Sequence, residues 1–179
     1  MTISRQSSSP QGTENREPGT LAEHLPALYA CRRCPTVAGT PVTGAVGNAR
    51  TVLVGQAPGP HEVEPDRPFA YTAGARLFDW LETVGWSEEA FRQQVHICAV
   101  ARCFPGRTPD GRSDRLPNRL EIANCASWLD AEIRLLRPEL VIAVGKLAIE
   151  EFLGKSRLDD VVGRLFRTGR AGHEFDLVP

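Results

Sequence analysis

The side chains with the most chemistry to offer in this sequence are five cysteines: Cys31 and Cys34 in a C-x2-C, Cys98 inside an apolar run, Cys103 just after it, and Cys125 in a helical pattern. A thiolate is a soft metal ligand and a nucleophile. A C-x2-C accompanied by further cysteines in an intracellular chain reads as a metal or redox site. Cys103 and Cys125 sit where chain irregularity lets thiolates converge with Cys31 and Cys34. On spacing alone, zinc and an iron-sulfur cluster are equally compatible, and unliganded structural thiols are the remaining alternative. Cys98 does not fit the set, because a free buried thiol is the ordinary outcome inside an apolar strand.

A second stretch, Thr51 to Gly74, has the form of a ligand-binding loop. The β-formers Thr51, Val52 and Val54 run into Gly55, and Pro58, Gly59 and Pro60 then break regular structure. In an open α/β sheet, ligands bind beyond the carboxyl ends of strands. Phe69, flanked by Pro68 and the small residues Ala70, Ala73 and Gly74, either offers an aromatic face to a flat ring or plugs the core as a loop hydrophobe; the second role is the commoner one.

The elements around these residues alternate between strand and helix. Strands are predicted at 51–54, 95–101, 139–144 and 174–178. Leu77, Trp80, Leu81 and Val84 give one face of a helix over 73–85, which makes Trp80 a core residue. Ser87 caps a short helix with Phe91 pointing inward. Asn118 and Glu121 resemble a capping box opening a helix lined by Ile122, Cys125, Leu129, Ile133 and Leu136 and stopped by Pro138. Another helix is predicted over 148–153. The expectation is a three-layer α/β/α sandwich on a mainly parallel four-stranded sheet. Residues 1–20 read as a disordered leader and 21–179 as one domain.

Composition sets wider bounds. The 179 residues are 41% hydrophobic with a net charge of −1, enough apolar material for a proper core. No apolar run approaches membrane-spanning length and no signal pattern opens the chain, so a cytoplasmic protein, expected to be a monomer, follows. Nineteen arginines against two lysines leave the overall charge silent about nucleic acid. The stretch 102–119 is more telling, for Arg102, Arg107, Arg112, Arg115 and Arg119 sit among Pro and Gly. It is either a mobile phosphate clamp or a solvated loop with no partner. No P-loop and no G-x-G-x-x-G is present, so nucleotide-cofactor chemistry has no support.

The order C-x2-C, strand, G-Q-A-P-G-x-x-E, R-P-F-x-x-x-A-G, strand ending near Cys103, basic loop with Pro117, then E-I-A-N-C resembles the iron-sulfur uracil-DNA glycosylases of bacteria and archaea, family 4, over about residues 25–178. The resemblance implies a DNA-repair hydrolase acting on DNA that contains a damaged base. It also implies a [4Fe-4S] cluster on Cys31, Cys34, Cys103 and Cys125. A uracil flipped from the duplex would stack on Phe69. The loop Gly55 to Glu62 would supply backbone amides and Gln56 to the base and to water, with Ala57, Pro58, Gly59 and His61 on the same loop. Arg107, Arg112, Arg115 and Arg119 would face the DNA backbone. A non-catalytic iron-sulfur DNA-binding member is the rival expectation, and an unrelated zinc or redox protein the third.

The sequence also departs from that pattern. Gln56 stands where the iron-sulfur family usually has Glu, and Ala57 where uracil glycosylases outside that branch have a catalytic Asp. Ala99 occupies the place of a base-reading Asn, which removes a bidentate contact that discriminates between bases. The His-Pro-Ser-like loop expected beyond the last strand is not present before Pro179. The expectation from that absence is DNA binding with slow or undetectable uracil removal.

Overall fold

The computed structural model describes residues 19–179. The leader expected over 1–20 lies outside the described residues apart from Gly19 and Thr20, and Thr20 already belongs to the fold. Its hydroxyl accepts the Glu23 amide while the Glu23 carboxylate accepts the Thr20 amide, a capping box that opens α1 (Leu21–Tyr29).

Beyond α1 the chain runs β1 (Thr51–Gly55), α2 (Pro60–Val63), α3 (Thr72–Glu82), α4 (Glu88–Gln94), β2 (Val95–Ala99), α5 (Arg119–Leu136), β3 (Leu140–Ala143), α6 (Lys146–Leu153), α7 (Leu158–Val161), β4 (Phe166–Arg170) and β5 (His173–Val178). The strands form one sheet in the order β2-β1-β3-β5-β4, parallel throughout except for the β4–β5 hairpin.

The sheet therefore has five strands, not the four expected. The missed strand, β4, reads F-R-T-G-R and alternates half-buried with exposed positions. Arg167 on its outer face pairs with Glu174 and Asp176 of β5. An edge strand with charged and glycine positions lacks the apolar signal that marks the inner strands.

Strand alternation divides the core. Val52 and Val54 face Leu129 and Ile133 of α5 and Ala148 and Ile149 of α6. Leu53 faces the other way, onto Phe78 of α3 and Phe91 of α4. Helices thus cover both faces, and each fully buried Leu or Ile contributes about 1.5–3 kcal/mol.

One further expectation fails. Trp80 is 65% exposed and Val84 is 71% exposed, whereas Phe78 is buried. The reason is Gly74: a Cβ there would run into the Phe69 carbonyl, so α3 must turn its glycine toward that backbone. Phe78, four residues on, then points to the core, and Trp80 is carried outward. Among the described residues no helix is long and apolar enough to cross a membrane.

Candidate active site and cysteine cluster

The loop after β1 is anchored at both ends. Gly55 pairs in register with Ala99, so the carboxyl ends of β1 and β2 lie side by side. Val100 and Ala101 then donate their amides to the carbonyls of Gly55 and Gln56 at 2.9 and 3.1 Å. Pro58 is buried, Gln56, Ala57 and Gly59 are half-buried, and His61 on α2 is exposed.

Phe69 returns to this loop from a left-handed backbone conformation, φ 55°. Its ring lies against the bare backbone of Gly55, where a Cβ would sit 2.9 Å from Phe69 Cζ. Arg92 holds the turn from below, donating to the carbonyls of Pro68 and Phe69 at 2.8 and 2.9 Å while stacking on Phe78. Glu62 completes the frame. Burial raises the pKa of its carboxyl, and the backbone amides of Phe69 and Gly59 and the charge of Arg92 oppose that shift without cancelling it. Sequence reasoning missed Arg92 and Glu62 as positioning groups. Glu62 closes the G-x-x-E of the loop motif and could have been found there; Arg92 on α4 carries no motif signal.

A cavity of about 270 Å³ opens beside the loop, between Ala57, Gly59, His61, Tyr71, Arg107 and Asp114. A larger one, about 480 Å³, lies at the amino-terminal ends of the strands between Arg50, Val84, Trp86 and Val95, far from these polar groups.

The cysteines gather at a second place. The segment after the C-x2-C lies antiparallel to the chain leaving β2: Ala38 donates to Phe104, Val42 to Arg102 and Gly44 to Ile97, at 2.9, 2.7 and 2.7 Å. That pairing carries Cys31 and Cys34 to Cys103, and α5 brings Cys125. All four line one cavity of about 90 Å³. Arg33 stacks on Trp128 and bonds Ser127, pinning the C-x2-C to α5. Burial and the neighbouring thiols Cys125, Cys31 and Cys34 push the Cys103 thiol up to about 12, and Cys125 is raised in the same way. N–H donors already address two sulfurs, Asn124 Nδ2 to Cys34 at 3.4 Å and the Arg102 amide to Cys125 at 3.5 Å. Four thiols around one cavity, with N–H donors aimed at two of them, form a donor set suited to a soft cationic centre.

Cys98 lies elsewhere, buried and protonated, its pKa driven up by burial. Its neighbours form a fully buried ion network that the sequence did not announce. Arg102 is forked onto Glu132 at 2.9 and 2.6 Å and reaches Thr43, while His96 lies 3.2 Å from Glu132 and His24 stands behind. Burial pushes Glu132 up, yet Arg102 and His96 overcome this and hold it at about 2. His96, Cys98 and Glu132 place ligand atoms within 4.8 Å of one another, but the Arg102 guanidinium already fills the cation's role there. Arg102 is 1% exposed, which removes it from the set expected to face DNA.

The rest of the basic stretch forms a paired hairpin, not an irregular loop. Thr108 and Ser113, Arg107 and Asp114, and Gly106 and Arg115 pair across a small hairpin. Arg115 is committed to Glu121 through two bonds of 2.8 and 2.6 Å. Arg112 is 87% exposed, Arg107 is half-exposed beside Asp114, and Arg119 is exposed at the start of α5.

Two anchored sites at the carboxyl ends of β1 and β2 in a doubly covered sheet agree with what comparison shows: the family model for the uracil DNA glycosylase superfamily matches residues 41–179, and the chain belongs to that superfamily. It is 34% identical over 131 residues to a protein named type-4 uracil-DNA glycosylase from Pyrobaculum aerophilum, covering 70% of this chain and 62% of that one. To a protein of the same name from Thermotoga maritima it is 33% identical over 126 residues, 69% and 60% of the two chains. To one from Archaeoglobus fulgidus it is 28% identical over 170 residues, 89% and 79%. The match spans about three-fifths of the length of the first two relatives.

Proposed function

We propose that this chain removes uracil, or a related deaminated base, from DNA by hydrolysing the N-glycosidic bond. The observation that carries the reading is the Phe69 ring locked over the bare Gly55 backbone. It leaves an aromatic wall beside the Gln56–Gly59 loop, beyond the carboxyl ends of β1 and β2. A flipped pyrimidine stacked on Phe69 would meet the amides of Gln56 and Ala57 and the Gln56 side chain. Bond cleavage leaves negative charge on the base and positive charge on the sugar, and fixed N–H dipoles around the base stabilise the first without reorganising. Glu62 and Arg92 hold the wall in place and touch no substrate. Ala57 brings no carboxylate to the water and Ala99 no amide to the base. Orientation of the water thus falls to Gln56, and base selection to the backbone and the fit against Phe69. His61 stands at the mouth of the site, and Arg107, Arg112 and Arg119 face outward for the phosphates.

Cys31, Cys34, Cys103 and Cys125 would hold a [4Fe-4S] cluster, whose contribution when bound is to staple the segment after α1 to α5 and to the start of the basic hairpin. The convergence of the four thiols on one cavity and the N–H groups on Cys34 and Cys125 support this.

The test is single-turnover release of base from oligonucleotides containing uracil, hypoxanthine or xanthine, using anaerobically purified protein with its metal counted. Release of at least one of these bases, with about four iron per chain, is expected, and Phe69→Ala lowers the rate at least tenfold. Iron-loaded protein that binds these oligonucleotides but releases no base overturns the enzymatic reading; stoichiometric zinc without iron overturns the cluster.

A further inference from the structure

The base site uses Phe69, but the same turn presents another aromatic ring two residues on that faces outward. Tyr71 is 54% exposed, and its hydroxyl has no hydrogen-bond partner among the described residues. Its backbone is nonetheless fixed: it is the N-cap of α3, and its carbonyl accepts the Ala75 amide at 2.9 Å. The His61 ring lies over it with centroids 4.2 Å apart and a 38° tilt. His61 is held in turn by α2, which starts at Pro60 immediately after Gly59. An exposed pair of rings on two anchored elements gives up the burial that normally stabilises aromatic residues, so packing does not account for it.

The surroundings say what would cover it. Both rings border the cavity of about 270 Å³ beside the loop, with Ala57 on one side and the Arg107–Asp114 pair, 3.5 Å apart, on another. A carboxylate there disfavours a phosphate inside the cavity. A neutral flat ring with hydrogen-bonding edges suits it, since a face meets His61 or Tyr71 and the edge meets the Arg107 donor and the Asp114, Glu62 and Thr72 oxygens. Two residues of chain span at most about 7 Å, a distance that neighbouring nucleotides also cover once the strand is pulled open. Rotating a nucleotide onto Phe69 removes the stacking partner of the base beside it.

We infer that His61 and Tyr71 form a stacking platform for the nucleobase adjoining the excised nucleotide in the substrate strand. The inference rests on the glycosylase reading above. Stacking of this kind tolerates any base, because every base has a π-face, and it is strongest where the strand is already unpaired. The platform therefore favours single-stranded or mismatched substrate, with Arg107 able to meet the phosphate outside the cavity.

The experiment uses the full chain and single-stranded oligonucleotides carrying a stable abasic analogue, with 2-aminopurine placed at its 5′ or its 3′ neighbour. Binding is expected to quench the fluorophore at one of the two positions. Tyr71→Leu is expected to abolish that quench and weaken binding about 5- to 100-fold, while Tyr71→Phe preserves both. Quenching by Tyr71→Leu equal to wild type, or its loss in Tyr71→Phe as well, overturns the platform. Uracil release by the wild type, measured in parallel, separates the two readings. Release with an unaffected Tyr71→Leu sinks the platform alone, whereas position-specific, Tyr71-dependent quenching without release sinks the glycosylase alone.

Discussion

Cys98 lies within β2 and Cys103 five residues on, beyond its end, and both thiols resist ionisation, but for different reasons. At Cys98 the cause is burial beside the Arg102–Glu132 ion pair. At Cys103 burial is joined by three other thiols facing the same cavity. Arg102 stands between the two environments, its side chain in Glu132 and its amide on the Cys125 sulfur. A forked pair of opposite charges carries its own counter-ion, while a set of like groups is stable as thiolates only with a cation among them.

The most severe test of this contrast is removal of one thiol from each side. Cys103→Ala is expected to abolish stoichiometric metal binding, and Cys98→Ala to leave the metal content unchanged, both read by elemental analysis of anaerobic preparations. Equal loss in both variants would erase the distinction.

Next in size is the closed network. Glu132→Ala leaves the buried Arg102 guanidinium unpaired and is expected to cost about 3–5 kcal/mol in urea unfolding. The network also fixes a pH dependence. Glu132 has a folded-state value of about 2, below its unfolded one, so its contribution is fully present above the ordinary carboxylate range and is lost as pH falls toward 2. Glu132→Gln should flatten that part of the stability profile, and an unchanged acid limb would show that Glu132 is not held ionised.

A smaller effect separates arginines that the sequence could not distinguish. Arg112→Ala should reduce the salt dependence of DNA binding by roughly one counterion-release unit. Arg115→Ala, which frees Glu121, should change stability more than salt slope. The smallest change is expected at Trp80→Ala, within about 0.5 kcal/mol.

These particulars show where the sequence was legible. The C-x2-C, the strand ending at Gly55 and the Asn118 cap are local signals, and each led to a correct element or a real convergence of side chains. The basic stretch was read as irregular because its order comes from pairing across a hairpin and from Glu121. Trp80 was misplaced because the rotation of α3 is set by the Gly74–Phe69 contact and not by α3's own periodicity. The pairing of Arg102 with Glu132 left no mark in the sequence because the network draws on β2, α1 and α5, and no spacing along the chain joins them.

The segment that carries Cys31 and Cys34 to Cys103 has one more consequence. It covers the outer edge of β2 through the bond from Gly44 to Ile97 and lines the chain just beyond that strand through the bond from Val42 to Arg102, just as Arg167 guards the opposite edge at β4. β2 is buried along its whole length, so its edge is an apolar template for another chain once uncovered. The thiol cavity is thus also the clasp that keeps this edge closed. Cys31→Ser with Cys34→Ser is expected to make the protein self-associate at temperatures well below its unfolding, visible as rising light scattering while helical circular dichroism persists.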